Sequence, residues 1–277
     1  MTVELNHRIT GQGEPLILLH GLFGSLENLG GIARRLEDGW QIHALDQRNH
    51  GSSPHTDDMD YPAMAADVVA YMDAHYLDKA WVLGHSMGGK VAMQVALGYP
   101  ERVKGIIVAD IAPVTYKARH DAVLDGMKNL DLVGVTTRQE ADKRLAEFVE
   151  IPGVRQFLLK NLERIPAEQA GDGDQMFRWR LNLPVIDTCY QKLAAAPEGE
   201  GPYNGPVLFI KGADSAYIQS KHQDPIRQLF PAAELKIIEG TGHWLHAEKP
   251  DTFAALCRRF LGSWRPVLRC QKPGNVC

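Results

Sequence analysis

The run Ala80-Trp81-Val82-Leu83 passes straight into Gly84-His85-Ser86-Met87-Gly88, and residues 87–97 continue as an apolar-rich helical stretch. A strand, a turn of almost no length and a helix are thus written into one short segment. Such a turn puts its central residue, Ser86, into a strained backbone conformation, and its close neighbours must be glycine to avoid clashes. A helix that follows a buried strand this directly packs back onto the sheet, which points to parallel α/β layers. The serine hydroxyl then projects above the carboxyl edge of the strands, where α/β sheets bind their ligands. As a bare string the G-x-S-x-G pattern is common; its strand–turn–helix setting gives it weight.

The rest of the chain repeats the same rhythm. Residues 15–19 form a continuous apolar run ending at His20-Gly21, as expected of a strand buried on both faces. Residues 40–45 read as the next strand, ending at Asp46, and Val103–Ala109 as another, ending at Asp110. Between them, Ser25 offers an N-cap to a helix carrying Leu26, Leu29, Ile32, Ala33 and Leu36, and residues 61–76 form a second amphipathic helix. The rhythm breaks at about residue 114. From there to residue 203 no buried-strand run occurs, only helical stretches (124–132, 138–149, 154–161) separated by Pro152, Pro166, a Gly171/Gly173 loop and Pro184. Strand-like runs resume at 207–210 and 235–238, and a helix closes the pattern around 250–261. The reading is one α/β core, residues 1–113 and 204–277, interrupted by a helical cap or lid at 114–203.

Composition sets the outer limits. The 277 residues carry 30 Lys+Arg against 34 Asp+Glu, a net charge of −4, so no basic excess is available to neutralise nucleic-acid phosphates. No apolar run approaches the length of a membrane span. Glu4, Asn6, His7 and Arg8 occupy the place where a signal peptide would be apolar, so the protein is expected to be soluble and cytoplasmic. Four cysteines (Cys189, Cys257, Cys270 and Cys277) are too scattered for a disulfide scaffold and form no C-x-x-C pair. Cys270 and Cys277 share a polar tail that reads as solvated.

The chemistry follows from Ser86. A serine hydroxyl is a poor nucleophile until a base takes its proton, and imidazole suits that task near neutral pH. Among eleven histidines, His243 stands out in Gly240-Thr241-Gly242-His243-Trp244, between the last strand-like run and the final helix. The order of serine, then histidine near the C-terminus, is that of the α/β-hydrolases. His246 reads as a supporting or surface group, and His85 as packed against neighbouring loops. A third group must hold the imidazole in the right tautomer, and two strand ends offer an aspartate: Asp110, and Asp214 in Lys211-Gly212-Ala213-Asp214-Ser215. Spacing alone does not choose between them; Asp46 fits a structural turn. The tetrahedral intermediate needs two N–H donors, expected from Met87 and from Leu22 in His20-Gly21-Leu22-Phe23-Gly24, with Phe23 beside the substrate.

Several separate motifs then narrow the family. Asp46-Gln47-Arg48-Asn49-His50-Gly51-Ser52-Ser53, Asp110-Ile111-Ala112-Pro113, Arg178-Trp179-Arg180-Leu181-Asn182 and the stretch from Gly242-His243-Trp244 to Lys249-Pro250 stand together in one chain. With them, residues 16–261 resemble the YbfF-type esterases, bacterial relatives of the mitochondrial abhydrolase-11 group. The resemblance implies an α/β-hydrolase fold, Asp110 as the acidic member and Ser215 near the site. Asp214, where relatives can carry asparagine, stays open as the alternative acid. It also implies small-molecule substrates, either short acyl esters or acyl-CoA thioesters, with no cofactor or metal. Monomer and dimer both remain open. Leu124, Met127, Phe148, Phe157, Leu158, Met176, Trp179 and Leu183 are candidate pocket residues of the lid, with Trp244 beside the base; Arg178 and Arg180 could meet a polar or phosphorylated leaving group. A carbon–carbon bond hydrolase or a perhydrolase would keep the same triad, and a ligand-binding protein without turnover is the reading from a different class.

Overall fold

The structure is a computed structural model that describes residues 1–117, 122–166, 168 and 175–264. The Gly171/Gly173 loop and Cys270 and Cys277 lie outside the described residues. Seven strands form the main sheet: β1 (His7–Thr10), β2 (Glu14–Leu19), β3 (Trp40–Leu45), β4 (Ala80–His85), β5 (Val103–Ala109), β8 (Val207–Gly212) and β9 (Ala233–Ile238). They lie in the order β1-β3-β2-β4-β5-β8-β9, and all neighbours are parallel except β1 with β3. Strand β1 was not anticipated. It is an edge strand of four residues, HRIT, with no fully buried side chain, so it lacks the apolar run that marks the central strands.

The apolar runs are explained by burial on both faces, because each strand sends alternate side chains to opposite layers. Leu16 and Leu18 of β2, Trp81 and Leu83 of β4, and Leu208 and Ile210 of β8 share one cluster with α1 (Gly30–Leu36) and α11 (Pro250–Ser263). Ile17 and Leu19, Val82, and Phe209 face the other layer, with α2 (Tyr61–Ala74) and α3 (Met87–Gly98). Between β5 and β8 the chain forms α4 (Ala122–Asn129), α5 (Arg138–Leu145), α6 (Pro152–Leu159), α7 (Leu183–Thr188) and α8 (Tyr190–Ala194). It also contains a small antiparallel pair, β6 (Leu162–Arg164) with β7 (Phe177–Trp179), which is too short to have shown as a strand run. The apolar residues of this segment join the α2/α3 cluster rather than forming a core of their own. No helix among the described residues is long and apolar enough to cross a membrane.

Buried polar residues fix the loops at the carboxyl edge. Asp46, at the end of β3, accepts from the backbone N–H of Leu26 at 2.7 Å and of Ser52 at 2.8 Å, and from Asn6 Nδ2 at 2.7 Å. It is a turn-building carboxylate, as its position suggested. Arg48, with no exposed side-chain surface, makes a two-point contact with the equally buried Asp67 of α2, Nε–Oδ2 2.7 Å and Nη2–Oδ1 2.9 Å. Two neutral histidines then shape the loop after β2. His50 Nδ1–H donates to Arg48 O at 3.0 Å, leaving Nε2 to accept from Phe23 N–H at 3.2 Å. His20 does the same with Gly21 O at 2.8 Å and Gln47 N–H at 3.0 Å. Phe23 is held at φ +60°, a left-handed conformation rare for a bulky residue.

These features have measurable consequences. Asp67→Ala leaves the Arg48 guanidinium buried without its main partner and is expected to destabilise the fold by about 3–5 kcal/mol in denaturant unfolding. Replacing both partners with apolar residues of similar volume is expected to recover much of that loss. Burial pushes His50 down to about 3 and His246 to about 4, and burial, helped by nearby His75 and His7, pushes His43 to about 4. All three lie below the unfolded value of about 6.5, so the unfolded chain takes up protons first. Stability is complete above pH ~6.5 and falls as the pH drops toward 4, by about 1–2 kcal/mol each for His50 and His246 at pH ~5. Melting temperatures across this range should decline steadily; a flat profile would contradict the neutral, buried assignment.

Candidate active site

The turn between β4 and α3 has the geometry its glycines imply. Ser86 sits at φ +52° and ψ −118°. A Cβ on Gly84 would stand 2.0 Å from Gly88 O, and one on Gly88 would stand 2.2 Å from Leu19 O. No side chain fits either place, so both glycines are steric requirements of the turn. Ser86 N–H donates to Ala109 O at 2.9 Å, which ties the turn to the end of β5.

Three residues distant in sequence meet here. Ser86 Oγ lies 3.0 Å from His243 Nε2, and His243 Nδ1 lies 2.8 Å from Asp110 Oδ2. With Nδ1–H donating to the carboxylate, Nε2 is left to accept the serine proton. Asp110 is fully buried and itself held at φ +54°. Its Oδ1 accepts from Gly212 N–H at 3.1 Å, and Ser215 Oγ–H donates to its Oδ2. The competing aspartate is elsewhere: Asp214 is exposed, joined to the loop through its backbone N–H on Thr241 O at 3.0 Å.

The imidazole of His243 is enclosed by rings. Tyr217 stacks on it with centroids 4.1 Å apart and planes 26° apart, and the His85 ring lies 4.8 Å away. His85 Nε2–H donates to His243 O at 2.8 Å, and burial, with His246 and His243 nearby, holds His85 neutral far below the usual range. His85 thus packs against the loops as expected. His246 is not a surface group: it is buried, 4.3 Å from the His85 ring. Tyr217 carried no sequence signal, because its loop position marks it only once the chain is folded. Met87 follows the serine directly, and Leu22 follows Gly21, where a Cβ would stand 3.3 Å from Ser86 Cβ; neither the Leu22 nor the Met87 backbone N–H has a hydrogen-bond partner among the described residues. Met87 is the first residue of α3, where helical N–H groups are unpaired by geometry and carry partial positive charge.

The segment between β5 and β8 is fastened over this edge. Asn161 Nδ2 donates to Phe23 O at 2.7 Å, and Asn182 Nδ2 donates to Asn49 Oδ1 at 2.9 Å. Asn49, held at φ +63° in the Asp46–Ser53 turn, is therefore a clamp for the inserted segment. Lys90 Nζ, buried beneath the rings of Tyr61 and Tyr116, donates to Ala194 O at 3.0 Å and to Ala195 O. Burial pushes its ammonium down to about 7. Leu124, Met127, Leu158 and Leu183 are buried, while Phe148 is turned outward. Trp179 Nε1–H is taken by Met127 O at 3.0 Å, and Arg178 Nε by Glu163 at 2.6 Å. The Phe157 ring stands 5.9 Å from Trp244, itself 6.4 Å from His243.

Comparison with known proteins agrees with this architecture. A family model for the alpha/beta hydrolase fold matches residues 14–250. The chain is 40% identical over 248 residues to the esterase YbfF of Escherichia coli K12, covering 89% of this chain and 92% of that one. It is 42% identical over 254 residues to the sn-1-specific diacylglycerol lipase ABHD11 of Xenopus laevis, covering 88% of this chain and 79% of the relative. The solved structure of a marine microorganism esterase superposes with a TM-score of 0.88 at 39% identity, covering 94% of this chain and all of the other. The glycine-bounded serine turn, the parallel sheet and the matched length thus converge: the chain belongs to the α/β-hydrolase-fold family, among its esterases and lipases.

Proposed function

We propose that the protein is a serine esterase and thioesterase that hydrolyses short-chain carboxylic esters and acyl-CoA thioesters through an acyl-enzyme on Ser86. The observation that carries this reading is the unbroken chain Ser86 Oγ–His243–Asp110, with contacts of 3.0 and 2.8 Å. His243 Nε2 takes the hydroxyl proton as Oγ attacks the carbonyl carbon, and Asp110 stabilises the imidazolium that forms. The N–H groups of Leu22 and Met87 receive the oxyanion. Collapse of the tetrahedral intermediate breaks the bond to the leaving oxygen or sulfur, which departs with the proton from His243. A water then attacks the acyl carbon, His243 again takes and returns a proton, and the free acid leaves Ser86 restored.

Residues 114–203 serve in this reading as the lid, and residues 1–113 and 204–277 as the catalytic core. Phe23 and Trp244 flank the substrate, with Phe157 behind Trp244; Trp179, its indole N–H already engaged, contributes through its ring face. The preference for short acyl groups is supported by the way the lid packs onto the core. Leu124, Met127, Leu158 and Leu183 are taken up in the apolar cluster that joins it to the α2/α3 layer, each 6% exposed or less.

A fluorophosphonate probe is expected to label Ser86 in the folded protein and to lose the site in Ser86→Ala. Asp110→Asn is expected to lower kcat on p-nitrophenyl butyrate by about 10²–10⁴-fold, because the amide favours the wrong imidazole tautomer. Asp214→Asn should stay within about threefold of the unaltered enzyme, a surface change of small effect. A large loss in Asp214→Asn with little in Asp110→Asn would overturn the assignment of the acid.

A further inference from the structure

One cation of the inserted segment has a fixed backbone and an unoccupied side chain. Arg180 directly follows β7. Its N–H donates to Asn161 O at 2.9 Å, and its carbonyl accepts from His55 Nε2 at 3.0 Å. Its guanidinium, by contrast, makes no hydrogen bond or ion pair among the described residues, although Nε is shut off from solvent. Other sheltered guanidinium groups in the fold are matched: Arg48 has Asp67, and Arg155 has Asp142 at 2.9 Å. A buried N–H of a charged group left unpaired is costly, and its persistence points to a partner that comes and goes.

The surroundings supply no such partner and adjoin the loop after β2. Asn161, which receives the Arg180 N–H, reaches from its own side chain to Phe23 O at 2.7 Å, in the loop that carries Leu22. The guanidinium is near enough to His20 for its charge to disfavour protonation of that imidazole. His20 and His50 are neutral and already bonded to backbone, and Asp46 is taken up by Leu26, Ser52 and Asn6. Positive charge therefore stands uncompensated at the seam between the lid and the loop after β2.

We propose that Arg180 is a specificity-determining residue that binds an anionic group, a carboxylate or a phosphate, on the ester or thioester whose carbonyl is placed at Ser86. The inference rests on the hydrolase reading above and narrows its substrate class. A planar guanidinium matches two oxygens of either anion at once, which an ammonium does not. Of the two arginines flanking Trp179, it singles out Arg180, because Arg178 is exposed and paired with Glu163.

Matched substrates test it. The p-nitrophenyl monoester of succinate against p-nitrophenyl butyrate places the charge on the acyl side. Butyryl-CoA against butyryl-N-acetylcysteamine places phosphates on the leaving side. In Arg180→Gln the anionic-to-neutral ratio of kcat/KM is expected to fall about 10–100-fold in one of the pairs, mainly through KM, as for a lost charged hydrogen bond. The pair affected identifies the source of the anion. Arg180→Lys should recover only part of the ratio, and Arg178→Gln should retain it. Ratios moving less than threefold in both pairs would overturn the proposal. So would preference of the unaltered protein for the neutral member of both pairs, which decides the matter even if Arg180→Gln does not fold. If all four substrates are inert and Ser86 does not react with a fluorophosphonate, the hydrolase reading itself has failed. If Ser86 reacts and butyrate ester turns over while the ratios stay put, only the role of Arg180 falls.

Discussion

The Asp110 carboxylate has no contact with solvent, and a charge in that position must be met by donors or not exist. Its donors come from three places: His243 Nδ1 in the loop after β9, Ser215 Oγ beyond β8, and Gly212 N–H at the end of β8 itself. Its own N–H goes to Ile210 O at 2.8 Å. One buried charge at the tip of β5 thus ties together the end of β8, the loop that follows it and the imidazole of His243. The left-handed φ of Asp110 is what turns its side chain toward them, just as the strained φ of Ser86 lifts the hydroxyl from the adjacent strand.

On the opposite flank the same logic works without charge. His20 and His50 are neutral because burial disfavours the imidazolium, and each donates one hydrogen bond to a backbone carbonyl and accepts one from a backbone N–H. The loop carrying Leu22 and Phe23 is thereby held in place by hydrogen bonds within the fold itself. Asn161, Asn49 with Asn182, and Lys90 fasten the inserted segment to these same loops. The inserted segment and the carboxyl edge of the sheet therefore share polar contacts as well as one apolar cluster.

Much of the core was legible because parallel strands buried on both faces must be apolar throughout; residues 16–19, 80–83 and 106–109 announce themselves for that reason. The glycine-bounded serine was legible because sterics admit no alternative. Elements outside those constraints were silent. Strand β1 is four residues at an exposed edge with no alternating burial, and β6 and β7 are three residues each, held by their register rather than by composition. His246 looked like a surface or supporting residue because nothing in a histidine's neighbours along the chain reveals that α10 (Leu245–Glu248) turns it inward against His85. Arg178 and Arg180 looked alike, flanking one tryptophan. Only folding pairs the first with Glu163 and leaves the second beside His20.

What the amino-acid order determined by itself is local: a strand–turn–helix that strains one serine, the alternation that requires a parallel sheet, and a histidine in a glycine-rich loop near the end. Which aspartate meets that histidine was not local. Asp110 and Asp214 both lie just beyond strand ends, and each carries the same sequence signal. The strand order placed β5 between β4 and β8, so that the carboxylate at its tip meets His243 in the returning loop, across 133 residues of chain. Asp214, in the next loop along the sheet, was left facing water. A hydrogen bond of 2.8 Å between residues so far apart in sequence is a property of sheet order and packing, and neither is written at the residues it joins.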